Sequence, residues 1–115
     1  MKIYLDVCCL NRPFDDQTQE RIRLEAEAII SIFSHLEKGE WKIFGSDIID
    51  FEINQIPNLA RKDKVQNLCN PLNFHIQLTP KIINRAKEIE TLNITAIDAL
   101  HISAAESNVA DVFLT

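Results

Sequence analysis

Short, β-prone apolar runs alternate with longer stretches of helical period along this 115-residue chain. That alternation predicts an α/β fold with a parallel sheet, because strands running the same way need helix-length crossovers between them. Residues 2–7 read as a buried strand and 11–16 as a loop. Residues 17–38 read as a long amphipathic helix: Ile22, Ala26, Ile29, Phe33 and Leu36 recur at three- and four-residue spacing, and Gly39 ends it. Trp41–Phe44 predicts a second strand. Ser46 or Asp47 caps a short helix that stops before Pro57, and Asn58 begins another. Phe74–Leu78 predicts a third strand, and Thr79 followed by Pro80 is a helix start. Helices are expected over 80–91 and 95–107, and Val112–Leu114 reads as a last strand.

Length fits a single domain over 1–115 with one hydrophobic core. No apolar run approaches the ~20 residues that span a bilayer, and the start shows no signal-peptide pattern. The expectation is therefore a cytoplasmic protein without a membrane segment. Cys8, Cys9 and Cys69 lack zinc-ligand spacing and read as reduced, buried thiols. A net charge of −5 argues against broad, non-specific nucleic-acid binding, though not against a nuclease with local basic patches. The sequence closes on an apolar strand pattern, which suggests that a C-terminal segment is lacking.

Three acids interrupt apolar stretches. Asp6 breaks Ile3-Tyr4-Leu5-Asp6-Val7, and Asp98 breaks Ile94-Thr95-Ala96-Ile97-Asp98-Ala99-Leu100. Glu52 lies within a helical apolar stripe: with Ile48 at 0°, it falls at about 40°, between Ile48 and the Ile49, Ile53 and Ile56 positions at about 80–140°. Asp47, Asp50 and Asn54 fall on the opposite, solvated side. Each acid has an ordinary reading: Asp6 as a cap, Glu52 as a stripe-edge residue with its head in water, and Asp98 as part of a Thr95-x-x-Asp98 capping box. Taken together they suggest one acidic site. Two carboxylates ~4 Å apart at an effective dielectric of about 20 repel by about 4 kcal/mol, and a divalent cation removes that cost. Hard oxygen donors without an accompanying Cys/His set point to Mg²⁺ or Mn²⁺.

Other positions carry weaker signals. His101 lies on the apolar side of the last helix, one turn after Asp98, and reads as a packed core histidine or a partner of Asp98. Asn11 and Arg12 follow the first strand, where they could touch a scissile phosphate or simply serve the loop. Arg61, Lys62 and Lys64 read chiefly as a solvated helix face. His35 and His75 carry no signal.

The chain resembles PIN-domain proteins, in particular the small VapC-like bacterial toxins. The resemblance rests on Lys2-Ile3-Tyr4-Leu5-Asp6 with Asn11-Arg12-Pro13-Phe14, on Ser46-Asp47-Ile48-Ile49-Asp50-Phe51-Glu52, on Ile97-Asp98-Ala99-Leu100-His101-Ile102-Ser103-Ala104-Ala105, and on Ala110-Asp111-Val112-Phe113-Leu114-Thr115. It implies a three-layer sandwich, a central parallel sheet flanked by helices with acids gathered at one end. It further implies a Mg²⁺- or Mn²⁺-dependent endoribonuclease with Asp6, Glu52 and Asp98 as metal-binding catalytic acids. Asn11, Arg12 and Ser46 would serve the substrate side of the site, with Ser46 supporting it from a helix start. The same likeness implies a homodimer and an antitoxin partner. Two features depart from the pattern: Val7-Cys8-Cys9 replaces the usual polar residue after the first acid, and Asp111 precedes the last strand where the family's fourth acid follows it. The competing expectation is a PIN-like module without a complete site that binds RNA or a protein. A phosphoaspartate receiver fits poorly, because the first strand lacks an acidic pair and no lysine follows Lys87.

Overall fold

A computed structural model describes residues 1–72 and 74–115. The chain runs β1 (Lys2–Leu5), α1 (Val7–Asn11), a 3₁₀ turn (Arg12–Phe14), α2 (Glu20–Glu37), β2 (Lys42–Ser46), α3 (Asp47–Asn54), α4 (Leu59–Cys69), β3 (Phe74–Ile76), α5 (Pro80–Glu90), α6 (Ala96–Ser107) and β4 (Val112–Leu114). All strand pairs are parallel, in the order β3-β2-β1-β4.

The order reverses after β3: the chain steps outward from β1 to β3, then returns to pair β4 on the free side of β1. Right-handed crossovers place the connections before and after such a reversal on opposite faces. The packing agrees. α2 and α4 meet over a shared groove lined by Phe33 and Leu68, whereas α5 packs on α6 and α6 sends His101 to Tyr4 of β1. The result is the expected three-layer α/β sandwich. Central strand β1 is buried throughout Ile3, Tyr4 and Leu5, as are Ile43 and Phe44 of β2. Each such aliphatic or aromatic side chain contributes roughly 1.5–3 kcal/mol by leaving water. Helix α2 closes the other side with Ala26, Ile29, Phe33 and Leu36, the stripe its periodicity predicts.

The ends of the sheet are fixed differently. At the amino end, Asp111 Oδ2 accepts from the Lys2 N–H and the Asp111 N–H donates to Lys2 O, both at 2.8 Å. At the carboxyl end, the Asp6 N–H donates to Leu114 O at 3.1 Å. Asp111 thus lies at the opposite end of the sheet from Asp6.

Several boundaries differ from the sequence reading. Residues 6–10 leave the strand at once: Asp6 becomes an N-cap, its Oδ1 accepting from the Cys9 N–H at 3.1 Å, and α1 follows. Helix α2 begins three residues late because Thr18 and Gln17 bond the preceding turn, Thr18 N–H to Asp16 Oδ1 and Gln17 Nε2 to Asp15 O. Strand β2 continues through Gly45 and Ser46. Strand β3 stops at Ile76, and just beyond it the Leu78 N–H goes to Asp47 Oδ2 at 2.7 Å.

Candidate active site

In parallel sheets with a reversed strand order, the crevice outside the carboxyl ends of the strands is the usual ligand site. Here the reversal falls between β1 and β4. Asp6 leaves the carboxyl end of β1, Glu52 sits on the helix that follows β2, and Asp98 sits in the first turn of α6. One neighbour reports all three. Burial pushes the Cys8 thiol above its ordinary value, and the charges of Asp6, Glu52 and Asp98 push it further while Arg12 opposes them.

Their environments differ. Asp6 is 6% exposed and Glu52 has a side chain 31% exposed. Asp98 is exposed. The reason is its place in the first turn of α6: the buried residues Ala99, His101, Ser103, Ala104 and Ala105 surround most of the helix, but four of the five lie beyond that open end. Half of the expected capping box forms: the Asp98 N–H donates to Thr95 Oγ1 at 3.4 Å, without the return bond to the Asp98 carboxylate. Among the described residues, Glu52 Oε2 and the Asp98 carboxylate accept no hydrogen bond, whereas the Asp6 carboxylate takes the Cys9 N–H and also the Cys9 thiol.

Behind Glu52 runs a polar chain through the core. Glu52 Oε1 pairs with His101 Nε2. His101 Nδ1 lies 2.6 Å from Tyr4 Oη, and Tyr4 Oη lies 2.9 Å from Ser46 Oγ. Ser46 Oγ caps α3 by accepting from the Ile49 N–H at 3.0 Å. Burial holds the Tyr4 phenol well above its ordinary value, with Glu52 and Asp6 adding to this and the Ser46 bond opposing it. His101 is thus a core histidine whose partner is Glu52. The visible signal was its place on the apolar face of α6; its partners lie 49 and 97 residues away and carried none.

The three substrate-side candidates are engaged by the protein itself. Ser46 is fully buried, so it supports the site through Tyr4 and does not reach a substrate. Asn11 donates to Val7 O at 3.0 Å and accepts from Arg61 Nη1 at 3.3 Å. Arg12 pairs with Asp15 at 3.3 Å and Glu25 at 3.0 Å. Arg61 also reaches Asp15 Oδ1 and Phe14 O, which makes it a staple for the loop after α1. Cys8, Cys9 and Cys69 are free thiols, but not the buried ones their sequence suggests: Cys8 is exposed and Cys9 and Cys69 are half-buried. Burial, followed by Asp6, pushes Cys9 up to about 12.

A cation requires donors of the right kind and spacing. Among the described residues, the single group of such side chains with ligand atoms within 4.8 Å of one another is Asp47, Asp50 and His75, all exposed. That proximity already has a cause: His75 Nε2 bonds Asp47 Oδ1 at 2.7 Å and tethers β3 to α3. The Asp6–Glu52–Asp98 trio is more widely spaced. Its all-oxygen donor set and the open lone pairs of Glu52 and Asp98 fit Mg²⁺ or Mn²⁺, which keep several waters and need only one or two direct carboxylates. No protein-family model, curated protein or solved structure matches the chain.

Proposed function

We propose that the chain is a Mg²⁺- or Mn²⁺-dependent endoribonuclease of PIN-domain type, acting as the toxin of a type II toxin–antitoxin pair. The observation that supports this reading is the placement of the three acids: Asp6 follows β1 at the carboxyl end of the parallel sheet, Glu52 sits on the helix after β2, and Asp98 in the first turn of α6. These acids would hold the cation; a bound Mg²⁺ or Mn²⁺ supplies an activated water and neutralises charge on the phosphoryl oxygens. The protein's share is to fix the acids: Asp6 through its cap on α1, and Glu52 through His101. An antitoxin partner, a homodimer and a cytoplasmic setting belong to the same proposal.

The test is cleavage of mixed cellular RNA with Mg²⁺ or Mn²⁺, comparing the chain with Asp6→Asn and Asp98→Asn. Asparagine caps helices as well as aspartate does, so Asp6→Asn removes charge while sparing α1. Cleavage that needs the metal and disappears in both variants is expected. Activity that survives in either variant would sink the assignment of that acid.

One observation favours a binding module as the second reading. An apolar groove of about 290 Å³ lies between Ile48 and Phe51 of α3 and Ile97 and Leu100 of α6, closed by Leu78. Phe51 is 55% exposed there. Its apolar walls and the Asp47 carboxylate at its rim suit a protein partner better than RNA. Absence of cleavage with every metal and RNA class would move the assignment to that reading.

A further inference from the structure

We propose that His101, backed by Tyr4 and Ser46, is a positioning residue for Glu52, and that every hydrogen in this buried chain points toward the Glu52 carboxylate. What Glu52 is positioned for rests on the metal-site reading above; the hydrogen-bond chain itself does not.

The direction follows from counting donors. Ser46 Oγ already accepts from the Ile49 N–H, so its own hydrogen needs an acceptor. Among the described residues, the partner within reach is Tyr4 Oη at 2.9 Å. Ser46 therefore donates to Tyr4. Tyr4 has a single hydrogen, and it goes to His101 Nδ1 at 2.6 Å. Nδ1 must then be bare, which puts the ring hydrogen on Nε2, directed at Glu52 Oε1. The opposite direction has Tyr4 donating to Ser46. It strands the serine hydrogen at a fully buried position, and a bare Nε2 would face a carboxylate. A ring carrying both hydrogens strands the serine hydrogen in the same way.

This arrangement gives Glu52 a fixed reference. A half-exposed glutamate ordinarily samples many rotamers, and ordering it costs side-chain entropy. Here one oxygen is held by a histidine that is 1% exposed, and the other stays open. The reference is the sheet itself. Tyr4 stands on central strand β1, stacked on Phe113 of β4 with ring centroids 5.4 Å apart. Asp6 leaves that same strand two residues later. Two acids of the site thus take their positions from one strand, Asp6 through the backbone and Glu52 through Tyr4 and His101.

The experiment combines ¹⁵N imidazole spectra of the full chain at neutral pH with Mn²⁺ titration followed by electron paramagnetic resonance. Wild type, Glu52→Ala, Tyr4→Phe, His101→Gln and His101→Leu are compared. The expected spectrum shows hydrogen on Nε2 and a bare, hydrogen-bonded Nδ1, with the Nε2–H resonance displaced or lost in Glu52→Ala. Partners that orient metal-binding side chains typically contribute 10–100-fold to metal affinity, so His101→Leu is expected to weaken Mn²⁺ binding by about that factor. His101→Gln, whose amide can still donate from the Nε2 position, is expected to retain most of the wild-type Mn²⁺ affinity. Hydrogen on Nδ1, an Nε2–H resonance indifferent to Glu52→Ala, or wild-type Mn²⁺ affinity in folded His101→Leu would each overturn the proposal. If His101→Leu does not fold, Tyr4→Phe takes its place, and unchanged Mn²⁺ affinity there counts against the chain. Wild type that binds no Mn²⁺ yet shows the expected tautomer and Glu52 dependence disposes of the metal reading alone.

Discussion

Asp6 does two jobs with one carboxylate: Oδ1 caps α1, and the charge raises the neighbouring Cys8 thiol. The two jobs separate by experiment. The Cys8 thiol is raised by burial first and by the Asp6 charge next. Asp6→Asn should therefore speed iodoacetamide labelling of Cys8 at pH 8 while leaving the thermal midpoint nearly unchanged. Mn²⁺ should speed the same labelling in wild type by neutralising the acids around the thiol. Labelling unmoved by Mn²⁺ would argue that no cation reaches the trio. Tyr4 gives a second prediction. Its folded-state pKa is raised, chiefly by burial. The contribution is fully present below the unfolded tyrosine value of about 10 and is lost as pH rises above it. Unfolding by urea at pH 9 and pH 11 should show a steeper loss for wild type than for Tyr4→Phe. At this scale the sequence revealed the acids, because a charge in an apolar run is conspicuous. It hid Tyr4 and His101 as partners, because an aromatic and a histidine on apolar faces look like ordinary core and their contacts join β1 to α6.

Elements with a long period or a chemical start signal were legible; short ones were not. Helix α2 repeats its apolar stripe through Ala26, Ile29, Phe33 and Leu36, and α5 opens on Thr79-Pro80 with Thr79 accepting from the Ile82 N–H. Helix α1 has only five residues, too few for a period, and an aspartate that caps it looks the same in sequence as one ending a strand. Strand β3 was read too long because an apolar run cannot show that Leu78 bonds Asp47. The stop of α2 was legible and is testable. Gly39 has φ 75°, its N–H bonds Leu36 O at 2.9 Å, and the Glu40 N–H bonds His35 O at 3.0 Å. These are the two bonds of a Schellman cap. A Cβ at Gly39 would meet nothing within 4 Å, so only the backbone opposes it. Gly39→Ala should lower unfolding free energy by about 1–2 kcal/mol in a urea titration, the cost of a left-handed non-glycine residue.

For the whole molecule, the sequence predicted the layers, since alternating strand and helix patterns leave few alternatives to a parallel sheet. It left the strand order open, because three-residue strands carry too little pattern to show which neighbours they pair with. Three surface carboxylates bear on acid stability. His75 and the Leu78 N–H hold Asp47 below the usual carboxylate range, His35 does so for Glu40, and Arg85 for Glu106. For groups shifted down on folding, the stabilisation is present above the unfolded values near about 4 and is lost as pH falls through the folded ones. The thermal midpoint should therefore hold between pH 7 and 5, fall below pH 4, and fall less in Asp47→Asn. A midpoint already dropping between pH 7 and 5 would contradict this account.

The pairing of β1 with β4 joins residues 3–5 to residues 112–114. A contact of such sequence separation forms late, because a long loop must close before it is rewarded. During synthesis the ribosome releases Asp6 and Glu52 well before Asp98, and the strand that Tyr4 stacks against comes later still. The acidic end of the sheet is therefore absent from any nascent chain shorter than α6. Whatever chemistry that end performs begins only after translation of the domain is nearly done.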